Sequence, residues 1–524
     1  MFARLTVTMR VPLTRCLLGS LRGQPGQARA LFTLQDHSKK PSSVPLTKES
    51  FKQLRRGDFA EATPDDLSKL KELVKGRIET DKDDLLKHNC DWMRTLRGSS
   101  PCVVFPKTTE EVSAVLKYCS SRRLAVVPQG ANTSLVGGSV PVFDEVIIST
   151  KELDDIIDID ADGGTLSCEA GCSLKTLEKK ARKKHLFFPV DLYIREAQIG
   201  GVVAADMAGP RTARYGNLHG NVLGLEVVLP DGTVLNSMSN MRKDNTGFDL
   251  KQMFVGSEGS LGIITKVSMA CPPRPKFINV AMVYTESFDH VLEIMRLAKE
   301  QLGEIMSACE FMDNDAVMSV KQKHLTMWGV PSKPYYVLIE TAGHCDMHDE
   351  EKLKFLFNLL KDKELIMDGQ IGPLNYDDPT FVERLWNING RILTALSSTG
   401  NVYHYDVSMP HSKQYPLVQK LRQEAGSDIT KVASFGHLLD GNLHIALQSE
   451  SFSADTLDRL DQLITENVTA AGGAVSAELG CGFKSRNLGA HCKDPVEMKL
   501  MRDVKKMLDP QGIMNPYKVF PDSQ

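Results

Sequence analysis

Three glycine-rich runs fall within one stretch of this chain, and they limit its fold more than any other feature. They are Pro128-Gln129-Gly130-Ala131-Asn132-Thr133-Ser134-Leu135-Val136-Gly137-Gly138, the span from Ile199-Gly200-Gly201 to Ala208-Gly209, and Gly256-Ser257-Glu258-Gly259-Ser260-Leu261-Gly262. The first follows directly on Leu124 to Val127, an apolar run that reads as a buried strand. Successive backbone N–H groups in such turns form a nest for phosphate oxygens, and glycine allows the close approach and positive φ that a nest requires. A single run of this kind is equally compatible with a surface turn. Three in one domain favour a large phosphorylated cofactor. None has the GxGxxG spacing of nicotinamide enzymes.

The stretch that holds them, residues 98–275, alternates short apolar runs with turns. Val112, Val115, Leu116 and Cys119 share one helix face, and Val146 to Ser149 and Asp155 to Ile159 read as strands. Leu225 to Leu229 and Thr233 to Leu235, joined by Pro230-Asp231-Gly232, form a hairpin signal. Cys271-Pro272-Pro273-Arg274-Pro275 then breaks the chain and marks a domain boundary. Beyond it, residues 276–520 read as strands 278–284, 335–340 and 402–408 among helices 288–302, 350–362, 415–423 and 495–508. The expectation is an α+β protein whose second part has antiparallel sheets with helices on one face.

Composition narrows the function. A length of 524 residues allows two to four domains. With 63 basic and 66 acidic residues the formal charge is −3, which excludes a nucleic-acid binder built on overall basicity. No apolar run is long enough to span a bilayer. The 11 cysteines, an odd number without CxxC pairs, read as reduced thiols. Residues 1–35 carry Arg4, Arg10, Arg15, Arg22 and Arg29 among hydroxyl and apolar residues, with no acid before Asp36, the character of a mitochondrial transit peptide. Residues 36–97 read as an N-terminal segment, of which 36–60 is an exposed linker.

A second constellation lies in Gly436-His437-Leu438-Leu439-Asp440-Gly441-Asn442-Leu443-His444. Asp-Gly is a strong two-residue hairpin signal. With Asp440 and Gly441 as the loop, His437 faces His444, and directly opposed Cβ atoms lie about 4.5–5.5 Å apart. That suits two imidazoles on one metal ion, and it equally suits an ordinary cross-strand pair.

The run Gly256 to Thr265, preceded by Asp244-Asn245-Thr246-Gly247-Phe248-Asp249-Leu250, resembles the FAD-linked oxidases of the vanillyl-alcohol-oxidase type. Asp91 to Gly98, Gly137 to Glu145, Leu218 to Leu229 and Asn515-Pro516-Tyr517-Lys518 resemble the mitochondrial branch of that family that oxidises D-2-hydroxyglutarate. The resemblance implies a two-part FAD-binding domain at residues 98–275 and a substrate and metal domain at 276–520. It implies FAD contacts at Gly130, Asn132, Thr133, Gly137, Gly138, Gly200, Gly201, Arg214, Gly262, Ile263 and Asn515. It makes His437 and His444 ligands of a divalent metal, with Glu478 the third; two imidazoles and a carboxylate suit Zn²⁺ or Mn²⁺. It further implies a small 2-hydroxy acid as substrate, an electron-transfer flavoprotein as acceptor and the mitochondrial matrix as location, with a homodimer among the assemblies it allows.

Several positions depart from that pattern. Where relatives place a His as base, this chain has Leu479, and the positions of the substrate-holding groups are Asn389, Leu393, His404 and Ala446. Asn and Leu cannot reproduce a bidentate Arg clamp on a carboxylate. His404 is the candidate replacement, as base or as anchor. On the flavin side, Ala131 and Ser134 stand where relatives have glycine, and Asp206 brings a carboxylate into a loop suited to phosphate. The readings are therefore an FAD-dependent D-2-hydroxyacid dehydrogenase, a relative that keeps flavin or metal without turnover, or an enzyme with a changed hydroxyacid.

Overall fold

The computed structural model describes residues 40–323, 330–371 and 379–521; residues 1–35, expected to be a transit peptide, lie outside the described residues. Three sheets organise the chain. The first has strands β1 (Ile78–Glu79), β2 (Val103–Val104), β3 (Val126–Gln129) and β4 (Val146–Ser149) in the order β1-β2-β4-β3. Here β2, β4 and β3 run parallel, and β1 pairs antiparallel to β2. The helix Thr109–Arg122 covers it with Val112, Val115, Leu116 and Cys119, and the Thr108 hydroxyl caps this helix by accepting the Glu111 N–H. Strand β3 starts two residues later than the sequence suggests and includes Pro128 and Gln129, so the glycine loop begins at Gly130.

The second sheet is antiparallel, with β5 (Ile156–Asp160), β6 (Thr165–Glu169), β7 (Val222–Val228), β8 (Val234–Ser237) and β9 (Ile263–Ala270) in the order β5-β6-β9-β7-β8. The Cys271–Pro275 break falls between β9 and the third sheet. That sheet comprises β10 (Phe277–Thr285), β11 (Met306–Asp313), β12 (Tyr335–Gly343), β13 (Asp368–Ile371), β14 (Asn401–Ser408), β15 (Ile429–His437) and β16 (Asn442–Ser449). The order is β13-β10-β12-β11-β15-β16-β14, antiparallel throughout.

Helices lie on both faces of this sheet, not on one. Alternate strand residues such as Val283, Phe311 and Ile339 bury against helices Phe288–Leu302, Asp346–Asp362, His411–Glu424 and Ala454–Ala470. The opposite set, including Met282, Met312, Leu338, Phe435 and Ala446, packs on Asn314–Lys323, Pro379–Gly390 and Ile392–Ser397. A strand buried on both sides loses its polar alternation, which is why the one-face pattern could not be separated from this one.

Two further expectations are corrected. Residues 40–60 are no exposed linker: Val44 and Leu54 are buried, and Arg56 pairs with Asp144 at 2.6 Å. Nor does the chain stay in the second half after 276. The Val126 N–H donates to the Ile513 carbonyl at 2.8 Å and the Asn515 N–H to the Val126 carbonyl at 2.7 Å, so the C-terminal segment extends the first sheet. The halves are also joined by partly buried Arg211, which pairs with buried Glu340 of β12 at 2.5 Å while Trp386 Nε1 donates to the same carboxylate at 2.8 Å. Among the described residues no helix is long and apolar enough to cross a membrane.

Candidate active site at the junction of the two halves

A groove crosses the first half. Gly130, Asn132, Thr133, Gly138, Gly200, Gly201, Gly262 and Ile263 all line it. Its first loop turns through left-handed backbone at Asn132 (φ 56°) and Gly137 (φ 71°), and not at Ala131 or Ser134, so the side chains at those two positions carry no left-handed strain. A Cβ at Gly200 would meet the Ala170 Cβ at 2.6 Å, whereas one at Gly201 would meet nothing within 4 Å. The first glycine permits close packing and the second leaves open cradle. Those features fit an extended phosphate-bearing cofactor.

The first and third glycine runs are tied from behind. Asn515 Nδ2 donates to the carbonyls of Gly138 (3.1 Å) and Glu258 (2.7 Å). The Glu258 carboxylate accepts the N–H groups of Cys481 (2.8 Å) and Gly482 (2.7 Å). Asn515 therefore buttresses the groove without lining it. Arg214 is not brought to the groove at all, because Nη1 donates to the Glu304 carbonyl at 2.8 Å, just ahead of β11. Asp206 is also absent from its lining and sits 3.2 Å from His219 Nε2.

The second half contributes a cluster from one sheet face. Side chains two residues apart share a face, so His437 lies with Phe435, His444 with Ala446, Glu310 with Met312 and Glu340 with Leu338. His444 Nε2 is 3.1 Å from Glu478 Oε1, and His437 Nε2 is 3.3 Å from Glu478 Oε2. One ligand atom from each of the three residues lies within 4.8 Å of the others. The hairpin register differs from the expectation: His444 is paired with Phe435, so the histidines are diagonal and the loop spans four residues, 438–441. The Leu438 N–H donates to Cys309 of β11 at 2.8 Å and its side chain is buried, which draws the end of β15 away from β16. The imidazoles still converge, with ring centres 5.7 Å apart.

Three residues not singled out from sequence hold this cluster. Glu310 Oε2 lies 2.7 Å from His437 Nδ1. Asp406, paired with His444 across β14 and β16, accepts the N–H groups of Ala477, Glu478 and Leu479 at 3.1, 2.8 and 2.9 Å. Glu258 fixes the next residues, as above. Glu310 had a signal available, a carboxylate within the otherwise apolar run from Cys309 to Met312. Burial alone would lower the His437 pKa, but the carboxylates of Glu310 and Glu478 hold it well above its ordinary value. Burial would raise the Glu478 pKa, and the two histidines pull it well below the usual carboxylate range. Burial, with help from His444 and Lys484, drives the His404 pKa well down, leaving it neutral. His437 Nε2 and Glu478 Oε2, 3.3 Å apart, are buried with no hydrogen-bond partner beyond each other, the condition of atoms that a cation would satisfy. The donor set fits a divalent metal.

Beside the cluster is a cavity of about 290 Å³ lined by His404, Leu393 and Leu479 among others. His404 Nε2 lies 3.3 Å from His444 Nδ1 and is paired across the strands with Ala446. Asn389 and Ala446 do not line the cavity: Asn389 Nδ2 donates to Glu310 at 2.9 Å, behind His437, and Ala446 is in the core. Leu135 and Leu479 line both the cavity and the groove.

Comparison with known proteins follows this anatomy. The model of FAD linked oxidases, C-terminal domain, matches residues 274–519, and that of an FAD binding domain matches 100–237. A "D-2-hydroxyglutarate dehydrogenase, mitochondrial" of Bos taurus is 45% identical over 92% of this chain and 88% of its own. The protein so named in Rattus norvegicus is 46% identical over 91% of this chain and 89% of its own. Among solved structures, p-cresol methylhydroxylase superposes with a TM-score of 0.70 at 18% identity, covering 88% of this chain and 98% of that one, which supports the fold.

Proposed function

The chain belongs to the FAD-linked oxidases and, within them, to the D-2-hydroxyglutarate dehydrogenase family; on that premise we propose that it oxidises a D-2-hydroxy acid to the 2-oxo acid in mitochondria, at the junction of groove and cavity. The observation that carries this reading is the shared lining of the two spaces by Leu135 and Leu479, because a substrate in the cavity would then adjoin a cofactor in the groove. When bound, FAD supplies the two-electron acceptor for the hydride on C2. His437, His444 and Glu478 would hold a Zn²⁺ or Mn²⁺ ion, which would supply Lewis-acid polarisation.

The residues divide the remaining work. Glu310 fixes the His437 ring through Nδ1, so that Nε2 faces Glu478. With His444 Nε2 turned to the same point, its Nδ1 carries the proton and donates to His404 Nε2. His404 then keeps its own proton on Nδ1, which makes it a donor to the substrate carboxylate and not the base, so the hydroxyl proton of the substrate would leave to water entering the cavity as the C2 hydride goes to FAD. The apolar wall of Leu135 and Leu479 excludes water from the site of hydride transfer. Electrons pass onward to an electron-transfer flavoprotein in the matrix, as the family resemblance implies.

A second reading, flavin and metal kept without turnover of D-2-hydroxyglutarate, is favoured by Leu479 and by the engagement of Asn389 with Glu310. Two measurements on the purified protein decide. The proposal expects a visible flavin spectrum and about one divalent metal per chain, with the metal lost in the His437→Ala/His444→Ala variant. A colourless protein that takes up no added FAD, or metal unchanged in that variant, overturns it.

A further inference from the structure

Two polar side chains of the cavity are left over by the fold. Ser397 Oγ and Asn401 Nδ2 are buried without a hydrogen-bond partner, in residues only 8% and 7% exposed, and both residues line the cavity. Their neighbours are satisfied. The Ser398 and Thr399 hydroxyls return to the Ala395 and Leu396 carbonyls of the helix Ile392–Ser397 at 2.7 and 3.0 Å. Gln448 Nε2 donates to the Leu396 carbonyl and to Thr399 Oγ1, both at 2.6 Å, which holds the end of that helix against β16. A buried polar atom without a partner is costly, so two of them beside one space mark a place where a ligand supplies the acceptor. Elsewhere in the lining the carboxylates are engaged: Asp406 Oδ2 takes three backbone N–H groups, and Asp461 Oδ1 accepts the Tyr405 hydroxyl at 2.7 Å. Lys484 and Arg486 add cations to the same lining, Lys484 Nζ donating to the Leu135 carbonyl at 3.0 Å and Arg486 Nη1 to the Phe483 carbonyl at 2.5 Å. His404 and Asn401 are three residues apart on β14, about 10 Å of strand, which leaves room for a short chain between two end groups.

We propose that Ser397 and Asn401 form a second subsite, which accepts the far carboxylate or amide of a 2-hydroxy acid whose C1 carboxylate is held by Lys484 and His404. The proposal rests on the hydroxy-acid reading above and names the residues that read the far end of its substrate. Both are uncharged donors, so recognition there is by hydrogen bonds to an oxygen atom. An alkyl group of the same shape leaves both atoms unpaired, the condition under which a polar site rejects an analogue most strongly.

The test uses the FAD- and metal-loaded protein, with binding read by calorimetry and flavin reduction by a dye acceptor. Three acids of one shape are compared: D-2-hydroxyglutarate, its half-amide D-2-hydroxyglutaramate, and D-2-hydroxy-5-methylhexanoate, in which two methyl groups replace the far oxygens. The first two should bind tighter than the third by about 10-fold or more, and Ser397→Ala/Asn401→Leu should bring that ratio close to one. Asn401→Asp keeps the shape and adds a charge, so it should weaken D-2-hydroxyglutarate about 10-fold relative to the half-amide, and it decides the matter if the double variant does not fold. Equal binding of the three acids, variants that shift all three alike, or a half-amide no better than the alkyl acid overturns the subsite and leaves the hydroxy-acid reading standing. Failure of every acid to bind or reduce the flavin overturns that reading as well.

Discussion

Asp406 and Glu478 are joined through the backbone: Asp406 Oδ2 accepts the Glu478 N–H at 2.8 Å, and the neighbouring N–H groups of Ala477 and Leu479 converge on the same oxygen. Because Asp406 is the cross-strand partner of His444, the sheet register itself carries the loop with Glu478 to the histidines. The cluster is thus set by pairing in β14 and β16, not by the hairpin alone. Asp406→Ala should free this loop. Hydrogen bonds to a charged group contribute about 1.5–3 kcal/mol each, so the loss should lower the melting temperature by several degrees. Metal content should fall with it, read by elemental analysis of the folded variant. Metal retained at the parent level would show that the loop finds its place without Asp406.

Glu310 offers a cleaner probe of the cluster. It is fully buried and holds His437 Nδ1. Outer partners of this kind typically change metal affinity by about 10–100-fold. Glu310→Gln keeps the shape and weakens the acceptor, so a chelator competition should show a loss in that range. An unchanged affinity would remove Glu310 from the account.

Adjacent glycines in the groove should respond in opposite ways. Gly201→Leu meets no neighbour at Cβ and projects into the cradle, so the flavin-free protein should melt within about 0.5 kcal/mol of the parent while flavin uptake is lost. Gly200→Ala drives a methyl against Ala170 and should cost about 1–3 kcal/mol of stability. Calorimetry and a flavin titration on the two variants separate the effects. Equal behaviour would mean the groove is not where the flavin lies.

Parts of this arrangement were legible in the sequence and parts were not. The helices Phe288–Leu302 and Pro495–Leu508 and the strand Val146–Ser149 match their expected limits, since each is framed by clear periodicity or by Ser or Asp caps. The convergence of His437, His444 and Glu478 was also expected, the first two from the hairpin. Their register was not, because the contact of Leu438 with β11 is a tertiary one that no local pattern reports. Strand β11 passed unread for a related reason: its Glu310 looks like a surface residue until the histidine beside it is known. Asn389 and Ala446 match substrate positions of relatives by sequence, yet they lie behind the cavity, one bonded to Glu310 and one in the core.

Stability should also carry a pH signature remote from the cluster. Burial pushes the Asp461 carboxyl up to about 6, with the Tyr405 hydroxyl opposing and Asp458 adding to the shift. The unfolded value is about 3.9, so the folded state disfavours the ionised form. The protonated state is therefore favourable at low pH, and that advantage is lost as the pH rises through about 6. Asp461→Asn cannot ionise and still accepts the Tyr405 hydroxyl. Its stability relative to the parent should grow by about 2–3 kcal/mol between pH 4 and 7. Parallel unfolding curves across that range would refute the assignment.

The measurement closest to the central claim is anaerobic mixing of the FAD- and metal-loaded protein with the D and L forms of one 2-hydroxy acid, followed through the visible flavin bands. Oxidation at the junction of groove and cluster requires bleaching by the D form and not the L form, and its loss in the His437→Ala/His444→Ala variant while the flavin stays bound. Bleaching that is indifferent to the enantiomer, or that survives intact in the double variant, would contradict the account.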